Sequence, residues 1–199
     1  MGGFCVAPED GLPRGMRTLL LIGPAEPGYW AHLIAQPEWL DGQPDPVDRW
    51  SRRVIGRIAC ALRGKALFPF GGPPWHPFYA WALRSGWAWD SPVRLLVHDR
   101  AGLWTSYRGA LALREAVVLP RGGDKPCLTC GEQPCLTACP AGALTGAGYD
   151  VPKCHDWLNR PEGADCLSGG CIVRRACPVS QSHGRVAEHS AYHMSQFHR

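Results

Sequence analysis

The sequence predicts an α+β chain in two parts. A small mixed α/β domain covers residues 1–120, and a loop-rich, cysteine-dense module covers residues 121–199. Three observations predict this. Eight of the ten cysteines crowd between Cys127 and Cys177, in two bursts that each end in Cys-Pro. Short β-type runs and one clear amphipathic helix occupy the first 120 residues. Glycine (24) and proline (19) together exceed a fifth of the 199 residues, so the chain turns often.

In order along the chain, residues 17–22 (Arg-Thr-Leu-Leu-Leu-Ile) read as a short strand that Gly23-Pro24 ends. A helix is expected over 29–35, stopping before Pro37. The clearest helix starts at Asp45. Asp45 suits the N-cap, Pro46 the first helical position and Asp48 the positive end of the dipole. Val47, Trp50, Val54, Ile55, Ile58, Ala59 and Leu62 recur at helical spacing and form one apolar face. Arg49, Arg52, Arg53 and Arg57 project elsewhere, and Gly64 ends the helix. A second strand is expected within 65–70, a loop at Gly71-Gly72-Pro73-Pro74 and a short helix over 77–85. Residues 93–98 and 103–113 flank Asp99-Arg-Ala-Gly102 and read as a β-hairpin. Arg121-Gly-Gly-Asp-Lys-Pro126 leads into the cysteine region.

Composition excludes some classes. A net charge of +4, scattered along the chain, does not suit a nucleic-acid binder. The apolar run 19–22 is too short to span a membrane. The N-terminus has no basic segment followed by an apolar one, so a cytoplasmic location is expected. Cys60 reads as a small core residue and Cys5 as part of a tail.

The cysteine spacing carries the chemistry. The first burst is Cys127, Cys130, Cys135 and Cys139, or C-x2-C-x4-C-x3-C-P. The second is Cys154, Cys166, Cys171 and Cys177, ending C-x4-C-x5-C-P. Eight thiolates are the set needed for two 4Fe–4S clusters. The bacterial ferredoxin run is C-x2-C-x2-C-x3-C-P, and its fourth cysteine ligates the other cluster. Here the middle gap is wider, filled by Gly131-Glu-Gln-Pro134. The assignment crosses in the same way. Cys127, Cys130, Cys135 and Cys177 hold one cluster, and Cys139, Cys154, Cys166 and Cys171 hold the other. Backbone N–H groups of Gly131, Gly142, Gly169 and Gly170 are candidate donors to cluster sulfur. Two rival readings of the thiols remain. A disulfide framework needs an oxidising compartment. Structural zinc favours paired C-x2-C knuckles, and only Cys127 and Cys130 form one.

Three N-terminal passages resemble the corrinoid-binding, nitroreductase-like domain shared by epoxyqueuosine reductase, the reductive dehalogenases and the animal cobalamin-processing protein. They are Asp45-Pro-Val-Asp48, Phe68-Pro-Phe-Gly-Gly-Pro-Pro74, and His98-Asp-Arg-Ala-Gly-Leu-Trp104 with Tyr107-Arg-Gly109. Cys139-Pro-Ala-Gly-Ala-Leu144 and Lys153-Cys154 are similar to the two-cluster ferredoxin-like module of the first two enzymes. The resemblance implies an electron-transfer module and supports the crossed ligand set. It further implies a bound cobalamin or other corrinoid, with flavin as an alternative. The chain is shorter than those enzymes and shows no match to the reductase's catalytic acid.

A flat corrinoid or flavin would suit a cleft lined by Trp75, Phe78, Trp81, Trp104 and Tyr107, with Arg108 reaching an amide or phosphate; the alternative is that these rings are core. His183, His189, His193 and His198 crowd the C-terminus. His189 and His193, four apart, would share a helix face and suit a metal or simple packing. Arg174, Arg175 and Arg185 would dock an acidic redox partner, such as a ferredoxin, flavodoxin or reductase, or form a solvated face. Three function classes follow: an iron–sulfur electron carrier, a corrinoid- or flavin-dependent reductase, and a non-redox protein with structural clusters.

Overall fold

The computed structural model describes residues 2–199. It is mixed α/β with small sheets and separates into two units. One unit comprises the chain up to Trp87 together with Ser106–Gly123. The other comprises Ala88–Thr105 together with Asp124–Arg199. Ala88–Thr105 thus groups with the cysteine region, and the boundary before that region falls after Gly123.

The first unit begins with β1 (Gly3–Cys5), β2 (Thr18–Ile22), α1 (Tyr29–Ile34), α2 (Pro37–Leu40), α3 (Pro46–Ala61), β3 (Lys65–Leu67) and α4 (Phe78–Arg84). The chain then runs through β4 (Ala88–Asp90) and β5 (Leu96–His98) of the second unit and returns as β6 (Gly109–Leu113). An antiparallel sheet forms in the order β1-β2-β6-β3. Leu19 faces Phe4 across one ladder and Ala112 across the next, while Leu67 pairs with Ala110. Ile55 and Ala59 of α3 pack with Leu111 and Leu113 of β6, which is how the apolar face read from the sequence is spent.

Two expectations are corrected here. Asp45 precedes α3 in a left-handed conformation (φ 53°), and its side chain makes no capping bond. Side-chain capping favours an extended residue at that place. The clamp is Arg49 instead. It donates twice to the Asp41 carboxylate at 2.7 Å and once to the Glu38 carbonyl at 2.6 Å, tying α3 to α2. The expected hairpin of 93–98 with 103–113 does not form either. β5 pairs back onto β4, with His98 opposite Ala88, and β6 lies between β2 and β3. All five residues of β6 are buried, and a Gly-Ala-Leu-Ala-Leu run suits a central strand covered on both sides.

In the second unit, β4 and β5 are joined by a turn in which the Ser91 N–H donates to the Leu95 carbonyl at 2.9 Å. A further tight turn follows from His98 to Gly102. Gly102 has φ 54°, and a side chain there would strike the Ser180 backbone, so glycine is required. Beyond residue 124 come β7 (Leu144–Thr145), β8 (Gly148–Tyr149), α5 (Val151–Leu158), α6 (Ala164–Gly169), α7 (Ile172–Ala176), α8 (Pro178–Gln181) and α9 (Ala187–Phe197). Asp150 caps α5 by accepting from the Lys153 N–H at 3.0 Å. The core joins Val93, Val97 and Leu103 of the inserted segment to Leu144, Val173 and two thiols, Cys135 and Cys177. Among the described residues, no helix is long and apolar enough to cross a membrane.

Candidate metal centre

The thiols are positioned by turns that repeat. Pro126-Cys-Leu128 and Pro134-Cys-Leu136 each form one 3-10 turn, closed by a threonine N–H donating to the proline carbonyl at 3.3 Å. The fixed φ of proline suits the start of such a turn. The turns set Cys127 and Cys135 in equivalent backbone places. Each leucine faces solvent. The repeated Pro-Cys-Leu-Thr was a signal in the sequence that spacing counts alone pass over. Cys171 and Cys177 stand immediately before α7 and α8, while Cys154 and Cys166 lie on α5 and α6.

Cys127, Cys130, Cys135 and Cys177 line a single cavity of about 210 Å³. Three come from the first burst and one from the second. The inserted segment supplies part of the wall: Ser91, Pro92, Val97 and Leu103. Ser91 Oγ is buried and has no hydrogen-bond partner among the described residues. Cys127 feels the charges of Cys177 and Cys130, and Cys135 those of Cys127, Cys177 and Cys130. In a second group, Cys154 feels Cys171 and Cys139, and Cys166 feels Cys171.

Burial pushes the Cys127, Cys135, Cys154 and Cys166 thiols up from their ordinary value, and the neighbouring thiolates push the same way. Lys125 opposes this at Cys127, as does a hydrogen bond from Tyr149 at Cys154. Such thiols become thiolates when a cationic metal group replaces their protons. Backbone N–H groups meet sulfur at several thiols: Ala143 N–H donates to Cys139 at 3.3 Å and Ile172 N–H to Cys166, and Cys127 and Cys135 each take one from their own backbone. These differ from the glycines expected. Gly142, at φ 59°, shapes the turn that brings the next N–H round to sulfur.

All ten cysteines are free thiols. Among the described residues, no three His, Cys, Asp or Glu side chains converge on one metal-ion position. A tetrahedral zinc with Zn–S bonds of about 2.3 Å needs its sulfurs only about 3.8 Å apart. A cubane holds its four thiolates at the corners of a larger body. The cavity is several times the roughly 30 Å³ share of one water.

The other candidate residues are placed as follows. In the first unit, Phe78, Trp81 and Tyr107 are buried, whereas Trp75 is 64% exposed. Phe78 packs on Trp81 with ring centres 5.1 Å apart. Arg108 donates to the Asp48 carboxylate and lies 5.2 Å from the Phe70 ring centre. Burial pushes the Asp48 carboxyl up, outweighing the pull of Arg108. In the second unit, Trp104 is buried beneath the Arg185 guanidinium at 5.1 Å. Arg175 pairs with Asp165, and Arg174 donates to the Leu103 carbonyl. His189 and His193 share a face of α9 with their Nε2 atoms 3.1 Å apart. His198 Nδ1 lies 2.6 Å from His155 Nδ1.

Compared with known proteins, the chain matches no family model, no curated protein and no solved structure.

Proposed function

We propose that the second unit carries electrons through two 4Fe–4S clusters. Cys127, Cys130, Cys135 and Cys177 ligate one, and Cys139, Cys154, Cys166 and Cys171 the other. The observation that carries this is the convergence of four thiols, drawn from both bursts, on one cavity. Clusters of this kind supply reversible one-electron chemistry. The residues hold each cluster and tune it: the Ser91 hydroxyl and the Ala143 and Ile172 N–H groups as hydrogen-bond donors, and the Val93, Val97 and Leu103 side chains by excluding water. The resemblance to two-cluster reductases adds to the reading. Protein prepared without oxygen should absorb broadly near about 400 nm and bleach with dithionite. Clusters that never bleach would leave only a structural role.

A second reading, a corrinoid- or flavin-dependent reductase, is favoured by one feature of the first unit. Trp81 Nε1 and Tyr107 Oη are buried without hydrogen-bond partners among the described residues, and such groups call for a polar ligand or water. Titration with hydroxocobalamin should then give a saturable spectral shift, and its absence at high concentration would remove this reading.

A further inference from the structure

The arginines of α3 meet different surroundings. Arg49 pairs with Asp41, and Arg53 with Glu38. Arg52, exposed between them, makes no hydrogen bond or ion pair among the described residues. Its guanidinium lies 5.0 Å from the centre of the Phe70 ring. Arg108 reaches the same ring, at 5.2 Å. Unlike Arg52, Arg108 is held: it donates to the Asp48 carboxylate, and its Nε lies 3.4 Å from Ser51 Oγ. Ser51 is fixed in turn, donating to the Val47 carbonyl at 2.6 Å. Asp48 and Arg52 are four apart on α3 and so share one face. Two guanidinium groups therefore meet at one ring, and the one carboxylate beside them is paired with Arg108 alone.

The chain after Phe70 adds donors to this place. A Cβ on Gly71 would come within 2.6 Å of Arg52 Nη2, so the bare backbone runs directly against the guanidinium. A Cβ on Gly72 would meet nothing within 4 Å, so the space beside it is open. Among the described residues, neither glycine N–H donates to a protein acceptor.

An arginine fork matches the oxygens of a carboxylate or a phosphate. One unpaired fork beside a second guanidinium, with free backbone N–H groups at its edge, suits an anion of more than one charge and several oxygens. We propose that Arg52, with Arg108 and the Gly71 and Gly72 N–H groups, binds the phosphoryl group of a small-molecule ligand. Arg52 supplies the open fork. Arg108 adds a charge that Asp48 and Ser51 hold in position. The site involves no thiol, and it stands with or without a ring-shaped cofactor in the first unit.

Calorimetric titration of the full chain with sodium pyrophosphate at low salt tests this. Wild type should bind one equivalent, half-saturating below about 1 mM. Arg52→Gln should weaken binding at least tenfold, the scale of a lost charge-assisted contact. Arg52→Lys keeps the charge without the fork and should fall between the two. Arg57→Gln removes an arginine from another face of α3 and should bind like wild type. No saturation by about 10 mM overturns the inference. So does an unchanged affinity in Arg52→Gln, or an equal loss in Arg57→Gln. Two ligand pairs separate the sources of the phosphate: FMN against riboflavin, and hydroxocobalamin against cobinamide, which lacks the phosphodiester. Where a pair binds, its phosphate-bearing member should bind at least tenfold tighter in wild type, and that preference should vanish in Arg52→Gln. A cofactor bound equally with and without its phosphate overturns the inference. Pyrophosphate bound at Arg52 while neither cofactor binds sustains the site and removes the reductase reading alone.

Discussion

The two units hold themselves together by different means. The first satisfies its backbone through a four-stranded sheet, packs leucines and an amphipathic helix behind it, and joins α2 to α3 with arginine–carboxylate pairs. The second has only two-stranded ladders and helices from four residues (α8) to eleven (α9). Its buried core includes Cys135 and Cys177. Where thiols stand in the core, stability depends on what the thiols hold. The first unit therefore owes its fold to apolar burial, whereas on the proposed reading the second depends on the metal its thiols would hold.

The largest expected effect breaks the comparison open. Stripping iron from the holoprotein should release the amides of Ala88–Thr105 and Asp124–Arg199 to hydrogen exchange, while the β2–β6 ladder stays protected. Equal loss in both units, or in neither, would erase the distinction. Next, Leu19→Ala in the first unit removes a fully buried side chain, and should cost about 3 kcal/mol in denaturant unfolding of that unit. Iron content should not change; loss of iron would show that the second unit borrows its stability. A smaller effect sharpens the chemistry of the first cavity. Ser91→Ala removes a hydroxyl donor beside the thiols and should lower the potential of the Cys127, Cys130, Cys135 and Cys177 cluster alone. A shift in both clusters, or none, would assign that hydroxyl elsewhere.

The smallest effect concerns acid. Hydrogen bonds from Arg53 and Arg49 hold the Glu38 and Asp41 carboxyls below the usual carboxylate range. Their folded values lie below the unfolded ones, so their contribution is complete above about pH 5 and is lost as pH falls through the folded values, below about 4. Urea midpoints of the first unit should show this slight acid loss, and it should shrink in Arg53→Met. An unchanged acid loss would place its cause outside the α2–α3 clamp.

How much of this was legible in the sequence depended on the range of the signal. The helix over Pro46–Ala61 and the strand at Thr18–Ile22 announce themselves through local periodicity and punctuation. The proposed thiol sets were read from spacing, and Cys127, Cys130, Cys135 and Cys177 do line one cavity. Pairing was not legible. Nothing local in Gly109-Ala-Leu-Ala-Leu113 tells that it joins Leu19 and Leu67 rather than folding back on Leu96–His98. For the same reason Ser91 and Leu103 were not seen as cavity wall, nor Arg174 as an inward charge. Its i+3 relation to Cys171 was visible, but the carbonyl of Leu103, 71 residues away in sequence, was not.

The most direct measurement is iron and acid-labile sulfide per chain in protein prepared without oxygen. The account expects eight of each in wild type and about four of each in Cys139→Ser/Cys154→Ser. Zinc in place of iron, an absence of sulfide, or an unchanged count in the double variant would contradict it.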